Sequence, residues 1–418
     1  MVSRTATRLA ADPPAIATAH FLAEADPYHP SANPDGYINL GTAENKLMWD
    51  LLEPVMTAPQ SIHPSDIHYG QLYGTEPLRA GIAALLGRTW RARVDPTNLV
   101  VVSGATAALD IAATALCDPG EVIVVPAPYY AALNVDLVGR SGARLVPVSM
   151  ADADGFALDP VALDRALHRL RHDGAVVRAL AVTSPSNPQG QVHPAATLRE
   201  LLRVATAHHV DVIADEIYAH CVFGSDRFVS MLDPDVVGGV LKADPNRIHV
   251  VWGFAKDFGL SGLKVGVLHT TGTATRAASR ALAYFAPAST HTQALLRDLL
   301  ADTVWVRRFL AESRQRLATS YRGAVADLTR FGIGYVPAQA GFTVWIDLRT
   351  CLPQPTYAAE HALWERIVGI AKVNILPGAV FGSPEPGWFR LCHALDPTLV
   401  HHGVARLAAM TGHARRSA

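Results

Sequence analysis

The chain has 418 residues, half of them hydrophobic and only 17% charged, which is apolar material for about two or three domains, or one large domain with an appendage. A formal net charge of −1 leaves no basic surplus to suggest nucleic acid or an anionic membrane as a partner. The four cysteines, Cys117, Cys221, Cys351 and Cys392, lie far apart with no C-x-x-C pair, so neither a metal site nor a disulfide framework is indicated.

The opening stretch, MVSRTATRLAADPPAIATAH, lacks the uninterrupted apolar run of a secretory signal, and no later run is long enough to span a bilayer. A cytoplasmic protein with reduced thiols is expected. Short apolar runs then alternate with helical patterns. NLVVVSG (98–104) reads as a buried strand and ATAALDIAATALC as the helix after it. EVIVVPAP (121–128), ARLVPVSM (143–150), VVRALAVTSP (176–185), HVDVIADEIY (209–218) and RIHVVWGFAK (247–256) read as further strands, with PAATLRELLRVATAHH as a helix among them. Continuous Val/Ile/Leu strands alternating with helices predict an α/β architecture, a mainly parallel mixed sheet with helices on both faces. Beyond residue 275 two long helical segments (274–301 and 303–330) precede a strand in GFTVWIDLR, a helix in YAAEHALWERIVGIA and a strand in GWFRLCHA. This pattern predicts a smaller α+β domain. The expected division is an N-terminal arm over 1–50, a large domain over 51–290 and a small domain over 291–418.

Ligands of open parallel sheets bind beyond the carboxyl ends of the strands, and the unusual residues fall there. SGAT (103–106) joins a strand to a helix start and offers backbone N–H groups and Thr106 to an anion. PAPYY (126–130) offers an aromatic face, SPSNPQG (184–190) presents Asn187, ADEIY (214–218) presents Asp215 and Tyr218, and GFAK (253–256) ends on Lys256. Singly, these are a turn opener, a helix cap, packed rings and a solvated charge. In order, each at a strand exit, they match the needs of pyridoxal phosphate (PLP). An amine binds its aldehyde, a carboxylate keeps its pyridine nitrogen protonated, donors hold its phenolic oxygen, an aromatic ring stacks on it, and a helix N-terminus takes its phosphate.

The succession SGAT, PYY, NPQG, ADEIY and KDFGLSGLKVG resembles a fold-type I PLP enzyme of the aspartate aminotransferase superfamily. NPDGYINLGTAENKLMWDLL (33–52), GATAALDIAATALCDPGEVIVVPAPYY and EPGWFRLCHA (385–394) bring it closer to 1-aminocyclopropane-1-carboxylate (ACC) synthase. The resemblance runs from about residue 25 to 410. It implies Lys256 as the Schiff-base lysine and Cα base, Asp215 at the pyridine nitrogen, Asn187 and Tyr218 at the phenolic oxygen, and Tyr130 stacked on the ring. It implies Ala105 and Thr106 at the phosphate, Arg390 on the substrate carboxylate, and Glu44 near the substrate's far end. Tyr69, with Tyr73 as competing candidate, would reach the neighbouring subunit's phosphate in a homodimer with shared sites.

The family pattern has serines three and one residues before the lysine and arginine eight after it. Here Gly253, Ala255 and Lys264 stand in those places, so hydroxyls are lost and Lys264 becomes a point-charge phosphate clamp. His393 replaces an aromatic residue and is expected to be packed. The implied function is a PLP enzyme acting on the small molecule S-adenosylmethionine (SAM) and releasing methylthioadenosine. One branch closes ACC. The other is γ-elimination followed by carbon–carbon bond formation or annulation with a second substrate in natural-product biosynthesis. The alternative is an aminotransferase acting on an amino acid and a 2-oxo acid.

Overall fold

Seven runs rich in valine, isoleucine and leucine pair into one sheet. The computed structural model describes residues 2, 3, 6, 7, 10, 15–59, 61–240 and 243–412. In chain order the strands are β1 (Ile38–Asn39), β2 (Leu99–Val102), β3 (Val122–Ala127), β4 (Arg144–Ser149), β5 (Val177–Thr183), β6 (Asp211–Asp215), β7 (Ile248–Gly253) and β8 (Gly266–His269). The C-terminal part adds β9 (Gly334–Val336), β10 (Thr343–Asp347), β11 (Val373–Asn374), β12 (Leu376–Pro377) and β13 (Trp388–Cys392). The large sheet has the order β2-β8-β7-β6-β5-β3-β4. Its neighbours are parallel except β8, which runs antiparallel to both β2 and β7. The expected mainly parallel mixed sheet is thus the one observed.

Both faces of the sheet are covered, which is why its central strands carry no polar alternation. Val212, Ala214 and Val250 face one cluster, shared with Leu163 and Leu167 of the helix Pro160–His172 and Leu198 and Leu201 of the helix Ala195–Ala207. Ile213 and Val251, one residue out of phase, face the other cluster with Leu109, Ile111 and Ala112 of the helix Ala105–Leu116. The period-two alternation of strand side chains sorts neighbouring residues to opposite layers.

The smaller sheet, β12-β13-β10-β9, is antiparallel, and β1 pairs in parallel with β11. Ile38 and Leu40 of the N-terminal segment pack with Val373, Val404 and Leu407. The division expected at residue 290 falls at the start of a helix, Thr290–Ala301. Leu296, Leu299 and Leu300 of that helix join the cluster on the large sheet.

Three expectations on elements need correction. The helix expected over 274–301 is two helices, Thr273–Leu282 and Thr290–Ala301, separated at Pro287, where proline supplies no N–H and holds the preceding residue out of helical geometry. The helix expected over 357–371 is α-helical to Arg366 and then widens into a π turn over Ile367–Ala371. β8 was not expected as a strand at all. No helix among the described residues is long and apolar enough to cross a membrane.

Candidate active site

A cavity of about 170 Å³ opens at the carboxyl ends of β2, β6 and β7, and Thr106, Tyr130, Asn187, Asp215, Tyr218 and Lys256 line it. It has a closed end rich in buried polar groups and an open end at a helix start.

At the closed end, Asp215 terminates β6 and is only 5% exposed. Its Oδ1 accepts a 3.3 Å hydrogen bond from the Ile217 N–H. Burial pushes its carboxyl up to about 7, against the Ile217 hydrogen bond and the Lys256 charge. The next residue, Glu216, points into the protein and accepts from Ser230 Oγ and the Met231 N–H, so strand alternation leaves Asp215 alone facing the cavity. Lys256 sits on the short helix Phe254–Asp257 that follows β7, and its Nζ donates to the Ala43 carbonyl at 2.5 Å. Burial, with the nearby Arg390 charge, lowers its amine below the usual lysine range. Tyr218 is buried edge-on against Phe342, and burial raises its hydroxyl well above the ordinary phenol range.

Arg390 leaves β13 with 3% of its surface exposed. Nη1 donates to Asn187 Oδ1 at 3.3 Å, Nη2 donates to the Gly41 carbonyl, and Nε has no partner. Its guanidinium lies 4.9 Å from the centre of the Phe381 ring. No carboxylate pairs with it among the described residues, so a buried cation stands ready for an anion. Because the Asn187 oxygen is taken by Arg390, the Asn187 amide N–H groups remain as donors. Glu44 is half-buried one residue from Ala43, and its Oε1 accepts from the Ser261 hydroxyl.

The open end is built by backbone. Gly104 has φ +96° and starts the helix Ala105–Leu116, whose first N–H groups have no helical partner. Gly266 lets β8 pass close by, since a Cβ there would meet Ala105 N at 2.4 Å. Thr106 and Lys264 are exposed at this end. Lys264 adopts the left-handed conformation at φ +52°, and its side chain runs beside Gly104. Asp136, only 6% exposed, also lines this end and accepts from Thr106 Oγ1 at 3.3 Å. Burial raises its carboxyl to about 7, assisted by the Asp215 charge and opposed by Thr106 and Lys264.

The sequence-expected residues Lys256, Asp215, Asn187, Tyr218, Tyr130, Ala105, Thr106 and Lys264 therefore converge on one cavity. Arg390 and Glu44 reach its margin through contacts with Asn187 and Ser261. The two tyrosine candidates separate. Tyr69 is fully exposed, at 105% of its reference surface. Tyr73 is held inside the chain, with the guanidinium of Arg280 4.3 Å from its ring and that of Arg79 at 5.2 Å. His393 is fully buried, packs against Phe223 and Tyr321, and makes no hydrogen bond through either ring nitrogen. Burial lowers it to about 3, which keeps it neutral and agrees with a packed residue. Gly253 is more than a lost hydroxyl, because a Cβ there would meet the Val265 carbonyl at 2.9 Å.

Asp136 and Ser261 were not anticipated. Asp136 had one weak signal, a lone acid in an otherwise uncharged segment after PYY. Ser261 had none, because its partner Glu44 is 217 positions away.

The cavity fits PLP on its own terms. Asp215 is a buried carboxylate that accepts from the Ile217 N–H, Lys256 is an amine whose basicity burial lowers, and the helix N-terminus that Gly104 starts lines the same cavity.

Three comparisons bear on the chain. The family described as aminotransferase class I and II matches residues 35–407. The chain is 35% identical to the ACC synthase of Glycine max over 395 residues, covering 91% of this chain and 82% of that protein. It is 37% identical to ACC synthase 3 of Oryza sativa subsp. japonica, covering 88% and 86%. In fold it is similar to the aspartate aminotransferase of Thermus thermophilus solved with maleate, with a TM-score of 0.81 at 22% identity over 98% and 99% of the two chains.

Proposed function

The chain belongs to the aminotransferase class I and II family and is a PLP-dependent enzyme, and we propose that it acts on SAM and releases methylthioadenosine. The observation that carries this reading is the placement of Glu44. Its carboxylate is anchored by Ser261, beside the carbonyl that receives Lys256 Nζ. An amino acid gripped by Arg390 at one end meets this negative charge at the other, and a sulfonium cation suits it by simple attraction. The named likeness to ACC synthases supports the same substrate.

Each residue has a role in this reading. Arg390 takes the substrate α-carboxylate with the donors its present partners leave, a planar fork on a planar anion. Lys256 is the amine for the cofactor's aldehyde and then the base for the Cα proton, a task its lowered basicity favours. Asp215 holds a proton at the pyridine nitrogen, Tyr218 and the Asn187 amide donate to the phenolic oxygen, and Tyr130 covers the ring. Ala105, Thr106 and Lys264 hold the phosphate. Bound PLP supplies an electron sink for the charge that develops at the substrate carbon. Once Lys256 has taken the Cα proton, two outcomes balance. The electron pair closes onto Cγ as methylthioadenosine leaves, giving ACC. Alternatively, Lys256 would pass the Cα proton back to the substrate–cofactor pair and take a Cβ proton, and methylthioadenosine would leave with the C–S electron pair, giving an unsaturated product electrophilic at Cγ for a second substrate in a biosynthetic sequence.

A homodimer with shared sites belongs to the same proposal. Tyr69 has no contact surface in its own chain, Ile67, Tyr284 and Phe285 are also exposed, and the phosphate end of the cavity is open. Tyr69 of one subunit would close the other's phosphate end. Buried thiols at Cys117, Cys221 and Cys392 suit a cytoplasmic setting.

The test is incubation of PLP-loaded protein with SAM, followed by mass spectrometry. Methylthioadenosine with ACC supports the first branch. Methylthioadenosine with vinylglycine, 2-oxobutyrate or solvent deuterium at Cβ and Cγ supports the second. Amino transfer to 2-oxo acids without methylthioadenosine sinks the SAM reading and leaves an aminotransferase.

A further inference from the structure

A larger cleft, of about 600 Å³, shares no lining residue with the cofactor cavity. Its lining carries five arginines, Arg88, Arg91, Arg227, Arg307 and Arg314, the last two set two turns apart on one helix, against one carboxylate, Asp226, in a chain whose net charge is −1. Arg91 is neutralised by Asp235 at 2.8 Å and Arg227 by Asp233 at 3.1 Å. Arg88, Arg307 and Arg314 have no carboxylate partner among the described residues, although all three border the same hollow. The floor is apolar, with Leu85, Phe228, Val306 and Leu310. An apolar floor with a few convergent charged groups is the make-up of a small-molecule site, and about 300–1,000 Å³ is its usual size. Guanidinium groups bind phosphate oxygens in pairs of parallel hydrogen bonds.

The cleft also has a polar exit toward the catalytic lysine. Thr89 and His220 lie in its wall, and Thr89 Oγ1 sits 2.7 Å from His220 Nε2. His220 Nδ1 is 2.7 Å from Asp257 Oδ2. Asp257 is fully buried, takes further bonds from Trp252 Nε1 at 2.7 Å and the His220 N–H at 3.0 Å, and immediately follows Lys256 on the helix Phe254–Asp257. A group that engages Thr89 or His220 bears on the carboxylate that fixes that helix.

We propose that this cleft binds a phosphate-bearing small molecule of the nucleotide class, and that its occupancy is transmitted to Lys256 through Thr89, His220 and Asp257. The arginines take the phosphates, and the apolar floor takes the base. Neither SAM chemistry nor the dimer is needed for this.

The experiment is calorimetric titration of untagged PLP-loaded protein with ATP, and separately with inorganic pyrophosphate, while the cofactor's visible absorbance band is followed. The comparison protein carries Arg88→Ala and Arg314→Ala, two exposed positions whose loss leaves the core intact. One ATP per chain is expected, at least tenfold weaker in the double variant, with a band shift in the parent that the variant lacks at the same ATP concentration. ATP binding tighter than pyrophosphate assigns the floor to the base, and equal affinities assign the site to phosphate alone and remove the nucleotide class. No saturable binding overturns the proposal, as does ATP binding that the double variant leaves unchanged. Binding at the arginines with no band shift overturns the link to Lys256.

Discussion

The two ends of the cofactor cavity are built on different terms. At the closed end Asp215, Asn187, Tyr218 and Arg390 are all buried, and every one comes from the chain's own core elements. At the open end Thr106 and Lys264 are exposed, Ala255 brings no hydroxyl, and a buried Asp136 lines the cavity beside Thr106. The difference separates two properties that family membership tends to merge. In the proposed roles, the groups that act on the substrate are complete within one chain, while those that retain the cofactor are thinner and would be completed by a second subunit. Chemistry is therefore expected to be robust and cofactor retention to be conditional.

The largest expected effect is at the closed end. In the proposed reaction, Lys256→Ala removes both the amine for the aldehyde and the proton acceptor at Cα. Turnover of SAM, read as methylthioadenosine by mass spectrometry, is expected to fall by at least about 10²–10⁴-fold, the usual worth of a positioned base. Substantial residual turnover would mean that the open end supports the reaction by itself, and the contrast between the two ends would not hold. Arg390→Lys keeps the charge and loses the fork. A charge-assisted hydrogen bond is worth about 1.5–3 kcal/mol, so KM for the amino-acid substrate is expected to rise roughly ten- to hundredfold, with kcat changed less. An unchanged KM would remove Arg390 from the substrate carboxylate.

The open end makes a pH prediction. Burial has raised the Asp136 carboxyl to about 7, well above its ordinary 3.8. Below that pH the side chain is neutral and leaves the phosphate undisturbed. Above it a buried carboxylate would face the proposed phosphate position and compete for Lys264. An anionic ligand raises the carboxyl further, so binding takes up a proton, and PLP affinity falls as pH rises through about 7. Asp136→Asn is expected to flatten that dependence, measured as the PLP dissociation constant by fluorescence from pH 6 to 9. A parent protein with no pH dependence there would remove Asp136 from the phosphate's surroundings.

Much of this cavity could be read from the sequence, for a physical reason. Parallel strands buried on both faces are continuous apolar runs, so their ends are plain, and a polar residue at such an end stands out. Asp215 and Lys256 stand out in this way. The pattern failed where structure depends on distant contacts. β8 is short, begins on Gly266 and is a strand because β2 and β7 flank it. Asp136 sits on the four-residue helix Leu133–Asp136, too short to show a period, and its burial comes from layers built elsewhere. Gly253 read as a missing serine, whereas its Cβ position is filled by the backbone of Val265, a contact only the folded chain reveals. The helix over 274–301 read as continuous because its alanines and leucines outweighed one proline.

Lys264 gives the smallest and most discriminating effect. Lys264→Arg restores the residue that the family pattern has, and the naive expectation is tighter PLP through a bidentate grip. Two features of this chain limit that gain. Position 264 is exposed and held at φ +52°, with its side chain running alongside Gly104 at the helix start, a path suited to a slim aliphatic stem. Asp136 is also nearby, and an arginine serves it as well as it serves the phosphate. An exposed pair contributes about 0–1 kcal/mol, so a change in PLP affinity of no more than about fivefold is expected, larger below pH 7 than above it, because protonated Asp136 no longer competes. A gain of a hundredfold at every pH would show that the open end is weak only for want of a fork, and that Asp136 plays no part in it. A small gain confined to low pH would show that Lys264 and Asp136 act as a pair, and that this cavity holds the phosphate by balance of charge instead of by a clamp.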